Sequence, residues 1–343
     1  MVSFVDVPNM VRWVRERGVG PITAGLADAL ERDFARWPSF DKTARVASHS
    51  PLGVIELMPA SDSETYGFKY VNGHPSNPGR GFQTVTAFGV LADVDTGYPT
   101  FLAEMTLLTA LRTAATSAMA ARHLARRDAR VHALIGAGSQ SEFQALALRA
   151  VLGLEHLRVF DVDARATEKL LRNLAPLGFD VHVAGSAAEA AEGADVVTTC
   201  TADKQAAIVL PDVAVRPGVH LNAIGGDCSG KTELDPVTVA RADVFVEYPP
   251  QTRVEGEIQR QPSGSPVTEL WRVVAGHEPG RTDAGQITLF DSVGFAIEDV
   301  AALKYLRADV RGTDLQVELE LVAEPDDPKD LFGLVTSRRP VPA

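Results

Sequence analysis

Between residues 131 and 293, short apolar runs alternate with helical stretches, and this alternation constrains the fold more than any other feature of the chain. The runs are VHALIG, LRVFDVD, DVHVAG, DVVTTCT, VHLNAIG, DVFVEY and ITLFDSV. Each is too short for a buried helix and rich in the branched residues that suit a strand buried on both faces. Strands separated by helices pair in parallel, so the alternation predicts an α/β unit with a parallel sheet.

The flanking segments carry other periods. In PITAGLADALERDFARW, Ile22, Leu26, Leu30 and Phe34 recur every four positions, one stripe of an amphipathic helix that opens with a proline. GVIELMP, YGFKYVNG and FQTVTAFGVLADVDTGYPTFLAEM are β-branched and aromatic, with Asp95-Thr96-Gly97 as a tight turn, and predict an antiparallel sheet. Residues 107–126, LLTALRTAATSAMAARHLAR, lack proline and glycine and predict one long helix joining the two regions. Near the end, LQVELEL places Leu315, Val317, Leu319 and Leu321 on one face. That isolated strand fits the first sheet better than the parallel one, which makes the first unit discontinuous. The 343 residues suit about two domains. The expected division is an α+β unit of residues 1–112 and 312–343, with residues 113–311 forming the parallel-sheet unit.

Between VHALIG and the helical EFQALALRAVL stands Gly136-Ala137-Gly138-Ser139-Gln140-Ser141. A strand, a glycine loop and a helix in this order form the context of a Rossmann-type dinucleotide site. The first glycine permits the tight turn, the second lets backbone amides approach a pyrophosphate, and the helix N-terminus adds partial positive charge. Ser141 takes the place of the third glycine. Asp161 ends the following strand where a ribose-binding carboxylate belongs, and an acid there favours NAD over its 2′-phosphorylated counterpart. Further on, VHLNAIGGDCSGKTEL puts Gly225, Gly226 and Asp227 directly after a strand end. Beside a nicotinamide, Asp227 would serve as a general acid and base; taken alone, the run also fits a capped turn. Arg45, Glu56 and Lys69 lie on or beside predicted strands, and Arg112 interrupts a helix of small residues. Each taken singly also fits a solvated face. Together they offer cations for a carboxylate and acids for ammonium groups, a pattern suited to an amino acid.

Composition excludes other classes. The formal charge of −12 repels polyanions, so nucleic acid is not an expected partner. Two cysteines, Cys200 and Cys228, are too few for a disulfide scaffold. No apolar run approaches the ~20 residues of a membrane span and no signal-peptide pattern opens the sequence, so a cytoplasmic location without membrane contact is expected. The eight histidines show no zinc-ligand spacing, and no metal site is expected.

The runs GFKYVNGHPSNP, LTALRTAATSAMAARHLA, IGAGSQSEFQ, NAIGGDCSGKTEL, EYPPQTRVEGEIQ and ITLFDSVGFAIED closely resemble, in order, the ornithine cyclodeaminase and μ-crystallin family over nearly the whole chain. The resemblance implies a lyase that holds NAD tightly and converts L-ornithine to L-proline and ammonia without net oxidation. In that scheme hydride leaves Cα, the side-chain amine attacks the imine, ammonia departs, and the hydride returns to the cyclic imine. It also implies that the first unit binds substrate and forms a homodimer through its sheet. Carried over by motif, Asp227, Lys69 and Glu56 become catalytic or proton-handling residues, and Arg45, Lys69, Arg112, Asp227 and Val293 substrate contacts. Thr84, Arg112, Gly136, Gly138, Ser139, Gln140, Asp161, Thr201, Ile224, Gly225, Gly226, Lys231 and Ser292 become cofactor contacts. Alternatives within the family are a lysine cyclodeaminase, an amino-acid dehydrogenase or an imine reductase. A non-catalytic, crystallin-like binding protein is the alternative outside enzymology.

Overall fold

The computed structural model describes residues 1–202 and 206–336. Among these, two sheets of eight strands each and one two-stranded pair account for the β-structure. All seven apolar runs are strands of one sheet, joined by an eighth strand, Thr268–Glu269; the spatial order is Asp180–Val183, His156–Phe160, Val131–Ile135, Val196–Thr199, His220–Ala223, Thr288–Asp291, Asp243–Val246 and Thr268–Glu269. Every pairing in it is parallel. Val131–Ile135 has His156–Phe160 on one side and Val196–Thr199 on the other, so the connections diverge at its C-terminal end. Such a switch point opens a crevice outside the strand ends.

The other sheet runs Val317–Leu319, Val2–Val5, Pro99–Glu104, Ala87–Asp93, Thr65–Gly73, Gly53–Ser61 and Asp41–Lys42, with Val46–Ser50 also paired to Gly53–Ser61. It is antiparallel except where Val2–Val5 runs parallel to Pro99–Glu104. The terminal strand returns to it as anticipated, pairing antiparallel with Val2–Val5 over three residues. Only Val317–Leu319 of that segment is strand, at the sheet edge; Leu315 ahead of it is buried, while Val317 and Leu321 are exposed.

Helix Val19–Ala35 buries Ile22, Leu26, Leu30 and Phe34 as its period requires. The joining helix, Thr106–Leu124, lends Leu108 and Leu111 to the core of the first sheet, while Ala114, Ala118 and Ala121 pack beside the parallel one. Helix Ala296–Val310 lies within residues expected to form the second unit, yet Ile297, Val300, Leu303 and Leu306 pack into the core of the first sheet. Strand periodicity decides what that helix meets. Thr65, Gly67, Lys69 and Val71 face inward, and Tyr66, Phe68 and Tyr70 outward. A Cβ on Gly67 would stand 2.8 Å from Val300 Cγ2, so the inward face is kept small to let the helix approach.

Candidate active site

At the switch point the strand Val131–Ile135 runs into Gly136, whose φ of +105° is left-handed backbone that only glycine adopts freely. A Cβ there would also stand 2.8 Å from the Cys200 carbonyl oxygen. Gly138 and Ser139 are exposed, and nothing lies within 4 Å of where a Cβ on Gly138 would project. Ser141, in the third glycine position, is buried and donates its hydroxyl to the Gly138 carbonyl at 2.7 Å, fastening the loop from inside. Asp161 receives the Ala137 amide at 2.6 Å and the Asp163 amide at 2.7 Å, which ties it to the tip of the loop. Gln140 Oε1 is buried with no hydrogen-bond partner. An open cradle ahead of the helix Ser141–Leu152, an unspent buried acceptor and a carboxylate at the next strand end fit a dinucleotide.

The neighbouring strand ends supply the second wall. Thr201 donates its amide to Glu233 Oε1 at 2.7 Å, and its hydroxyl to the same oxygen. Lys231 Nζ donates to the Thr201 carbonyl at 3.1 Å and lies 3.4 Å from Asp227 Oδ1. Ile224 is pinned by its amide to the Thr199 carbonyl at 3.1 Å. The structure shows what constrains Gly225 and Gly226 from behind the loop. A Cβ on Gly225 would strike the Glu233 carboxylate at 2.1 Å, and one on Gly226 would lie 2.8 Å from Glu257 Oε1. Their close approach is to buried acids behind the loop. Those acids form a chain: Asp291 accepts the amides of Glu257 and Ile258, and Glu257 accepts those of Glu233 and Leu234. Burial raises all three, Asp291 to about 7 and Glu257 to about 8, with Glu233 shifted in the same direction. Asp227 stands free of this packing, its side chain 59% exposed.

Across the crevice lies the charged inner face of the first sheet. Lys69 Nζ donates to Asp299 Oδ1 at 2.9 Å; Arg112 Nε lies 2.9 Å from the same oxygen, and Nη1 donates to Glu298 at 2.6 Å. All four side chains are buried, with Glu298 and Asp299 in the first turn of their helix, where its dipole favours anions. Desolvation, reinforced by Arg112, lowers Lys69 to about 8 against the pull of Asp299. Arg45 donates to Glu56 at 3.1 Å and to the carbonyls of Val293 and Gly294 at 2.5 and 2.9 Å, and its Nε lies 3.1 Å from Glu255 Oε2. Ser292 gives its hydroxyl to Glu247 at 2.6 Å. Glu255, desolvated and faced by Glu56 and Asp227, rises to about 7 despite Arg45.

Arg45, Glu56, Lys69, Arg112, Ser292 and Val293 are therefore one cluster, and Asp227, Thr201, Lys231 and Gly225–Gly226 another. The field of Asp227 on Arg45 links the two. Thr84 sits in the loop after Thr65–Gly73, where its carbonyl accepts the His74 amide at 2.8 Å. Among the described residues no ion pair joins Asp161 to either cluster. The sequence reading missed Glu233, Glu247, Glu255, Glu298 and Asp299. All lie inside motifs singled out above; for Glu298-Asp299 the signal is a pair of acids directly ahead of the apolar run Val300 to Leu303.

Residues 8–314 match the model of the ornithine cyclodeaminase/mu-crystallin family. The ornithine cyclodeaminase of Agrobacterium tumefaciens (strain Ach5) is 58% identical over 335 residues, spanning 98% of this chain and 94% of its own. The solved structure of a lysine cyclodeaminase, described as recognising L-lysine, L-ornithine and L-2,4-diaminobutyric acid, is 31% identical. It superposes with a TM-score of 0.87 over 97% of this chain and 99% of its own. An archaeal alanine dehydrogenase dimer with bound NAD is 30% identical, with a TM-score of 0.82 over 93% of this chain and 99% of its own. Sequence and architecture agree: the chain belongs to the ornithine cyclodeaminase/mu-crystallin family.

Proposed function

We propose that this enzyme converts L-ornithine to L-proline and ammonia through bound NAD, acting in the cytoplasm as a homodimer. The observation that carries the reading is the position of the buried Lys69–Arg112–Asp299–Glu298 network, across a crevice from an exposed Asp227 at the strand ends of a dinucleotide-type sheet. The identity of more than half with named ornithine cyclodeaminases supports the substrate. When bound, NAD supplies a reversible hydride acceptor, so that a hydride taken from Cα is restored to the product and no external oxidant is consumed.

The chain's own residues do the rest. Lys69 and Arg112 take the substrate carboxylate, exchanging part of their hold on Asp299 and Glu298 for it. Arg45, braced by two carbonyls, fixes that end of the pocket beside Val293. Asp227 exchanges protons with the substrate amines; its exposure and its loose contact with Lys231 leave it free to turn toward them. Glu56, on the sheet beside Arg45, is a second proton station. Gly136, Gly138, Ser139, Gln140 and Asp161 hold the adenosine and pyrophosphate half of NAD. Thr201, Ile224–Gly226, Lys231, Ser292, Arg112 and Thr84 hold the nicotinamide half. Enclosing both amines with the ring removes the translational cost of bringing them together.

Purified enzyme given L-ornithine and a catalytic amount of NAD should yield proline and ammonia in equal amounts without accumulating NADH. Reduction of NAD one-for-one with ornithine consumed, with turnover stopping once the NAD is exhausted, would overturn the reading in favour of a dehydrogenase. Asp227→Ala should abolish turnover while NAD still binds; near-normal turnover would refute its role.

A further inference from the structure

Charge is unevenly distributed across the substrate side of the crevice. Lys69 and Arg112 face Glu298 and Asp299, two cations against two anions. Around Arg45 the acids outnumber the bases: Arg45, with Lys231 beside Asp227, faces Glu56, Glu255 and Asp227. A monoamino acid brings no net charge to the site and leaves one carboxylate in surplus, whereas a diamino acid brings one positive charge.

The three acids are not equivalent. Glu56 accepts a well-formed hydrogen bond from Arg45 Nη1, and Asp227 is partly solvated with Lys231 beside it. Glu255 Oε2 is buried and accepts no hydrogen bond, because Arg45 Nε, at 3.1 Å, is not aimed at it. Glu255 also ends the helix Pro249–Glu255, where the negative end of the dipole disfavours an anion, so the helix gains nothing from it. Glu255 is mostly covered and ion-paired with Arg45, yet its buried oxygen lacks a hydrogen bond and other acids surround it, an arrangement that costs stability until a further donor cation fills it.

We propose that Glu255 receives the side-chain ammonium of the substrate and is the residue that selects diamino acids over monoamino acids. This rests on the preceding reading of the site, and the experiment separates the two. L-Norvaline is L-ornithine without its side-chain nitrogen. In the NAD-loaded enzyme, Glu255→Gln keeps the shape and removes the charge. It should lower kcat/KM for L-ornithine by about 10- to 100-fold, the loss expected of one charged hydrogen bond. The inhibition constant of L-norvaline should stay within about threefold of the parent value, since it does not use the lost charge. Glu255→Asp, which keeps the charge on a shorter arm, should recover part of the preference, and it provides the same comparison if the Gln variant does not fold. Equal weakening of ornithine and norvaline would reduce Glu255 to a brace for Arg45 and overturn the proposal. Unchanged ornithine kinetics would overturn it too. If the parent enzyme itself fails to turn over ornithine, the underlying reading falls first.

Discussion

The two faces of the antiparallel sheet invert the usual distribution of side chains. The outward face carries Ile55, Leu57, Tyr66 and Phe88, all exposed, with Tyr70 stacked on Phe88 at a centroid distance of 5.1 Å. The inward face carries Glu56 and Lys69 among Val54, Met58, Gly67 and Val71. The difference teaches that transfer free energy alone does not decide which side of a sheet is covered. The inward face is the floor of the site, where each charge has a fixed partner and glycine gives the helix room. The described residues leave the apolar outward face uncovered, the kind of patch on which the proposed homodimer would form.

The contrast breaks hardest at Lys69. Lys69→Met is nearly isosteric but leaves Asp299 with Arg112 alone in a buried setting. Removing one partner of such a pair typically costs about 3–5 kcal/mol. We expect kcat/KM for L-ornithine to fall by at least about 1,000-fold, measured as proline formation, with NAD binding retained. Activity within tenfold of the parent would mean that the inward charges serve only the fold. Next comes Gly67→Ala. Its Cβ would meet Val300 Cγ2 at 2.8 Å and Leu91 Cδ2 at 2.9 Å, side chains already packed. Urea unfolding should show a loss of about 1–3 kcal/mol, whereas Tyr66→Ala, one residue away on the other face, should cost the isolated protomer less.

How much of this contrast the sequence reveals depends on the range of each interaction. Strands and glycine loop are local, and all seven apolar runs and the returning terminal strand are present. Alternation in YGFKYVNG also separates the two sets of side chains. It does not say which set is inside, and hydrophobicity would place the aromatics there. The deciding partner, helix Ala296–Val310, is 230 residues from Lys69 at the Asp299 contact, and 186 from Arg112 at Glu298. That helix is buried nearly all round, so it shows no one-sided stripe to mark the face that meets the sheet. Gly225 and Gly226 are only partly legible for a related reason: a glycine pair reports close approach without naming what approaches, here Glu233 from later in the same run and Glu257 from another segment.

Lys69 also ties the stability of the fold to pH. Burial and Arg112 hold Lys69 near 8 in the fold, against 10.5 when solvated, with Arg45 acting in the same direction and Asp299 against it. Between those values the unfolded chain carries a proton that the folded one lacks, so stability rises with pH across this window. The contribution is lost as pH falls through 8. The slope from this one group is at most about 1.4 kcal/mol per pH unit, and less once its neighbours adjust. Denaturation midpoints collected from pH 8 to 10 should rise more steeply in the parent than in Lys69→Met; parallel profiles would show that Lys69 is fully charged in the fold.

The smallest effect on the protomer, and the most direct test of the outward face, is Phe88→Glu. Phe88 is exposed and contributes one ring to the stack with Tyr70, so the substitution removes little that the chain itself buries. Exposed substitutions of this kind usually stay within about 0.5 kcal/mol. If a second copy covers this sheet, the new carboxylate is buried there twice, once from each protomer, because a two-fold interface uses the same patch on both partners. Desolvating two like charges there costs far more than the lost stacking. Sedimentation velocity should therefore show a dimer for the parent and a monomer for Phe88→Glu, with protomer stability almost unchanged. A dimer that persists would place the interface elsewhere and leave the aromatic face as ordinary solvent-exposed surface.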